Sequence, residues 1–215
     1  MVVATQYTKT KTKDEILPFI DRGSGVICGS ASRRIVHREG LWHPVSCLIV
    51  VYEPKGIQDK RVLKENLKLL VVKRSDNVGF YPGKWSIPSE HQQYGENSRE
   101  TARRCYEEEF YTKICQDDLD DLERSVFVEF KREEGSLRPP ERQLQQFYLL
   151  FESRKAEDMK YQTEEISEIK FMPLEEILDS DPSEGVPLIM PAPSSTPGYE
   201  RGLRVMLTSL IDAQR

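Results

Sequence analysis

Residues 83–112, GKWSIPSEHQQYGENSRETARRCYEEEFYT, decide how the chain is read. After the Gly95-Glu96 turn, Asn97 is placed to cap a helix, and Glu100 can return the hydrogen bond in the reciprocal arrangement of a capping box. At about 100° per residue, Ala102, Cys105, Tyr106 and Phe110 fall on one apolar stripe, and Glu109 projects into it between Ala102 and Cys105. A carboxylate aimed at a packed face costs several kcal/mol unless a positive charge meets it. Two kinds are available. Arg104 and Glu108, on the flank of the stripe, offer an internal ion-pair network. The alternative is a divalent metal held by several oxygens, with waters and a diphosphate completing its shell. The helix alone leaves both open.

Outward from the helix, the run 45–52, VSCLIVVY, is apolar and reads as a buried strand, with 67–73, LKLLVVK, as its antiparallel partner. The polar stretch between them, EPKGIQDKRVLKEN, exceeds what a tight hairpin needs. Beyond the helix, 125–130 (SVFVEF) and 146–152 (QFYLLFE) are further strands, joined by the charged, Gly- and Pro-containing loop KREEGSLRPPERQ. Near the start, DEILPFI reads as a short helix that Pro18 bends or interrupts.

Composition fits one soluble domain with additions at both ends: 215 residues, 38% hydrophobic and 31% charged. A formal charge of −5 gives no general attraction to nucleic acid or to an anionic membrane surface. Cys28, Cys47, Cys105 and Cys115 show no CxxC spacing, so reduced thiols and a cytoplasmic location are expected. The N-terminus lacks an apolar core of signal-peptide length, and no run is long enough to span a membrane. Walker-type glycine loops, G-x-S-x-G and HExxH are absent.

The acidic segment resembles the Nudix box, G-x5-E-x7-R-E-U-x-E-E-x-G-U. Glu96 falls on the first glutamate, Arg104 on the arginine, and Glu108 and Glu109 on the paired glutamates; Pro82, Gly83 and Trp85 are similar to the family's PG-x-W lead-in. Three box positions differ: the first glycine is Glu90, the glutamate after the arginine is Cys105, and the final glycine is Tyr111. The resemblance implies an α+β fold, an α/β/α sandwich around a mixed central sheet, over residues 35–180. Residues 1–34 are then an N-terminal extension and 181–215 a Pro-rich arm ending in an amphipathic helix. It also implies Glu108 and Glu109 as ligands of Mg2+ or Mn2+ and as catalytic residues, with Arg104 orienting them. Lys73 and Arg74 become candidates for phosphate or ribose contacts, and Glu96 ties the turn to the helix or assists a second ion. Because Cys105 replaces one expected ligand, activity is expected to be reduced. Glu90 and Tyr111 are expected to carry backbone strain where glycine would adopt a positive φ.

The three histidines, His37, His43 and His91, sit where the Nudix branch related to isopentenyl diphosphate isomerase tends to have histidine, in HREGLWHPV and EHQQYGE. That resemblance implies a metal site, which imidazole makes suitable for zinc or manganese. The isomerase's catalytic cysteine position is Ser89, and its later-strand glutamate aligns with Gln146, so isomerisation is not expected. The family also recruits ligands or bases from loops, which adds Glu133, Glu134 and Glu141 as candidates.

The resulting expectation is a hydrolase of a nucleoside diphosphate-linked or related organic diphosphate. A Nudix-like nucleotide- or protein-binding module without turnover is the alternative. The C-terminal face of Leu203, Met206, Leu207, Leu210 and Ile211 needs a surface to cover, on its own domain or on a second subunit of a homodimer.

Overall fold

The computed structural model describes residues 15–55, 66–78, 81–130 and 139–179. Segments 1–14, 56–65 and 131–138, with Glu133 and Glu134, lie outside the described residues, as do the arm and terminal helix expected over 181–215.

A strand that is apolar on both faces belongs in the middle of a sheet. β3 (His43–Tyr52) is buried from His43 to Val51 and lies parallel to β8 (Glu141–Glu152), in register from His43 opposite Gln143 to Tyr52 opposite Glu152. Its other edge is shared. β4 (Lys68–Arg74) meets it antiparallel at Val51 and Leu69, whereas β6 (Ser89–His91) pairs antiparallel with Val45–Cys47. β5 (Trp85–Ser86) and β9 (Ile166–Pro173) flank β4, and β7 (Asp120–Phe130) closes the far edge beyond β8. The sheet is therefore mixed, and it splits along one edge of β3.

Each face carries its own core. On one, Leu48, Val50, Leu70, Val72, Tyr148 and Leu150 meet Ala102, Cys105, Tyr106 and Phe110 of α2 (Ser98–Phe110). On the other, Val45, Cys47, Ile49, Val51, Phe147 and Leu149 pack with Leu174 and Ile177 of α3 (Leu174–Asp179). This is the α/β/α sandwich that the box implies. Asn97 caps α2 with both hydrogen bonds of a capping box, at 2.9 and 2.8 Å.

The segment expected to be helical at DEILPFI is instead β1 (Ile16–Ile20), paired antiparallel with β2 (Ile27–Ser32). Proline cannot donate within a helix but is tolerated in a two-stranded ribbon, and burial of Leu17 and Ile20 outweighs the local helical pattern. The hairpin is tied to the domain by Tyr94 N–H donating to Ile16 O at 2.9 Å and Ile20 N–H donating to Trp42 O at 2.8 Å. No helix among the described residues is long and apolar enough to cross a membrane.

The two positions at which the box pattern has glycine differ in cost. Glu90 lies within β6 and is absent from the positive-φ positions, so the expected strain does not occur there. Tyr111 does take the left-handed conformation, φ 49° and ψ 33°, as the C-cap of α2. Its side chain is 53% exposed, so little packing is lost on its removal. Tyr111→Gly should therefore raise unfolding stability by about 0.5–1 kcal/mol in denaturant titrations; a decrease would show that the tyrosine ring is needed there.

Candidate metal centre

Four polar side chains converge at the end of the sheet where β3, β6 and β8 come together. His37 sits in the last turn of α1 (Arg33–Glu39), which stops at Gly40 with φ 60°. A side chain at Gly40 would be strained by that φ, and its Cβ would lie 2.7 Å from Pro139 Cβ. The turn folds His43, the first residue of β3, back against His37. His91 ends β6 opposite Val45, and Glu141 starts β8 two residues before Gln143, the partner of His43. Ring centroids of the three histidines are mutually 5.1 Å apart. Their ligand atoms and one carboxylate oxygen of Glu141 all fall within 4.8 Å of one another.

Glu141 is the common partner of the three histidines. Glu141 Oε2 lies 2.7 Å from His37 Nδ1, while Oε1 lies 3.1 Å from His43 Nε2 and 3.9 Å from His91 Nε2. Nε2 of all three histidines is buried and forms no hydrogen bond. His43 Nδ1 is 2.9 Å from Leu41 O, a carbonyl that can only accept, so the ring proton belongs on Nδ1. In the neutral ring its Nε2 is then a lone pair facing a carboxylate oxygen. Two acceptors at that distance need a proton or a metal ion between them, and three imidazoles with one carboxylate form a donor set that could hold zinc or manganese. Burial, with help from the nearby Arg33 charge, pushes His91 down to about 4, so at neutral pH its ring is uncharged and able to ligate. Burial would raise the Glu141 carboxyl, but the three facing histidines, His37 through a 2.7 Å hydrogen bond, hold it well below the ordinary carboxylate range.

The acidic helix forms a second polar cluster. Arg104 donates from Nε to Glu96 Oε1 at 2.8 Å, and from Nη2 to Glu96 Oε2 at 2.9 Å and to His91 O at 2.8 Å. Its Nη1 lies 3.5 Å from Glu108 and 3.7 Å from Glu90. Burial alone would lower the guanidinium's pKa, but Glu96, Glu90 and Glu108 raise it, so it stays cationic. Glu109 is buried at 7% exposure, and Arg74 at the end of β4 lies within its electrostatic reach. Lys73 points elsewhere, 3.9 Å from Glu168 and above the Trp85 ring.

Of the residues singled out in the sequence, the fold thus unites His37, His43 and His91, joins Arg104 to Glu96 and Glu108, and brings Arg74 toward Glu109. Among the described residues Glu108 and Glu109 stand outside the histidine cluster, and Lys73 is apart from both groups. Gln146 lies opposite Ser46, not beside the histidines. Glu141, expected in a loop, is a strand residue. Residues 141–146, ERQLQQ, show no apolar alternation; it is the parallel pairing of β8 with β3 that brings Glu141 beside His43.

A split mixed sheet with a capped acidic helix on one face defines a Nudix-type domain. The chain belongs to the Nudix family: the sequence model of the NUDIX domain matches residues 43–189. No curated protein matches it significantly. Among solved structures, DR0079 from Deinococcus radiodurans is similar at 19% identity and TM-score 0.50, covering 76% of this chain and 86% of that one. A MutT protein from Methanosarcina mazei gives 18% identity and TM-score 0.49 over 80% and 93% of the two chains. An Ap4A hydrolase from C. elegans gives 14% and 0.46 over 79% and 97%.

Arg104 is the hinge of the acidic cluster, and Arg104→Met should cost about 3 kcal/mol in denaturant unfolding at pH 7, because Glu96 and Glu90 lose their cation. Burial works against it, yet Arg104 lowers the Glu96 pKa in the folded state. The stability from this pair is complete above the unfolded value of about 4.3 and is lost as pH falls through the lower folded value. The deficit of the variant should shrink over that acid range; a deficit independent of pH would contradict the pairing.

Proposed function

We propose that this protein is a metal-dependent Nudix hydrolase that cleaves the phosphoric anhydride of a nucleoside diphosphate-linked or other organic diphosphate, with its divalent ion held by His37, His43, His91 and Glu141. The observation that carries the proposal is the convergence of three imidazoles on one buried carboxylate, His37 through Nδ1 and His43 and His91 through Nε2, with their ligand atoms within 4.8 Å of one another. Zn2+ or Mn2+ suits that donor set better than Mg2+, which prefers oxygen and would sit at Glu108 and Glu109. When bound, a divalent ion supplies positive charge at a phosphoryl oxygen and lowers the pKa of a coordinated water. The chain's own groups do the rest. Arg104 pairs with Glu108 at 3.5 Å, and Glu108, one-third exposed, would accept a proton from the attacking water or share a second ion. Arg74 supplies a cation for a phosphate oxygen.

A binding module without turnover is favoured by one observation. Cys105 is fully packed in the core of α2, so the helix offers no ligand where the box has a glutamate.

The test is phosphate release from ADP-sugars, dinucleoside polyphosphates, NADH, nucleoside triphosphates and isoprenoid diphosphates, in Mg2+, Mn2+ or Zn2+. Turnover should appear with Mn2+ or Zn2+, and His43→Ala should lower it by about 100-fold or more. Turnover that survives His43→Ala but is abolished by Glu109→Gln would move the chemistry to the acidic helix. Nucleotide-dependent thermal stabilisation without any turnover would support the binding module.

A further inference from the structure

Glu90 occupies the place of the first glycine of the Nudix box, yet nothing in the backbone requires a side chain there, and the one present is 1% exposed. A buried carboxylate carries a desolvation cost that a glycine would avoid, so its contacts identify what it serves. Successive residues of a strand face opposite sides of the sheet. In β6 this sends His91 toward the other histidines and Glu90 toward α2, where Oε2 lies 3.7 Å from Arg104 Nη1. The other oxygen turns back to His91: Oε1 accepts the His91 backbone N–H at 2.9 Å and lies 3.8 Å from ring atom Nδ1. Arg104 completes the grip through the His91 carbonyl. The ring therefore lies between two carboxylates, Glu90 3.8 Å from Nδ1 and Glu141 3.9 Å from Nε2.

We infer that Glu90 is a positioning residue of the metal centre, orienting His91 with Nδ1–H toward its own carboxylate and Nε2 toward the ion. An imidazole that ligates through Nε2 carries its proton on Nδ1, and a metal makes that proton a stronger donor, so a carboxylate facing it stabilises the bound state. Because Glu90 also meets Arg104, it links the centre to the acidic helix alongside the hydrogen bond from Arg104 to the His91 carbonyl. The inference rests on the metal reading above. It goes further in assigning a role to a residue that the box pattern would leave as glycine.

The test is direct metal affinity of the full chain after removal of metal with a chelator. Mn2+ binding is followed by the spin-resonance signal of the free ion, and Zn2+ binding by competition with a chromophoric chelator. Glu90→Gln, nearly equal in shape, should weaken both by roughly 10- to 100-fold, and Glu90→Asp should recover part of the loss. Nitrogen NMR of the zinc-loaded protein should show the His91 proton on Nδ1, and Glu90→Gly should disturb that signal. Glu90→Gly serves as the second variant if Glu90→Gln does not fold, since the box accepts glycine there. A lower metal-free melting temperature with unchanged metal affinity would overturn the inference and leave Glu90 as the ion-pair partner of Arg104. A wild type that binds neither ion would remove the metal reading itself, whereas a wild type that binds with Glu90→Gln matching it would remove this inference alone.

Discussion

Two hydrogen-bond acceptors facing each other in a buried site are unfavourable unless a proton or a metal ion lies between them, and this constraint bears on one end of the sheet. His43 Nε2 and Glu141 Oε1 are 3.1 Å apart, and the Leu41 carbonyl fixes the histidine proton on the far side of the ring. His37 and His91 add two more buried nitrogens without hydrogen bonds. Burying this group carries a desolvation cost that a cluster of apolar side chains filling the same space would avoid.

The architecture explains how residues so far apart in sequence meet. β3 and β8 run parallel, so the first residues of both strands lie at the same end of the sheet, and that end receives His43 and Glu141 together. β6 occupies the edge of β3 where β4 has diverged, which delivers His91. The glycine turn after α1 delivers His37. On the opposite face α2 brings Arg104 against the same short strand, so the two polar clusters share β6 as a common wall.

Much of this was legible in the sequence, and the remainder was hidden for identifiable reasons. The capping residues of α2, the buried run of β3 and the box spacing all express local periodicity, and the structure follows them. DEILPFI misled because its spacing suits a helix, while the hydrogen bonds that make it a strand come from residues 27–32. Glu141 was one of three equivalent loop glutamates until parallel pairing placed it opposite the histidine strand; no local pattern specifies register between segments so far apart. For Glu90 the box alignment marked a departure but suggested backbone strain, whereas the strand geometry shows an ordinary backbone and a buried side chain. Tyr111 shows the reverse: there the alignment correctly flagged a left-handed residue.

The most direct test of this account is X-ray absorption at the metal edge of protein loaded with one equivalent of zinc. The account predicts a first shell of nitrogen and oxygen at about 2.0–2.1 Å with the outer-ring scattering of three imidazoles. A shell of oxygens alone, without imidazole scattering, or a protein that retains no zinc after dialysis, would contradict it.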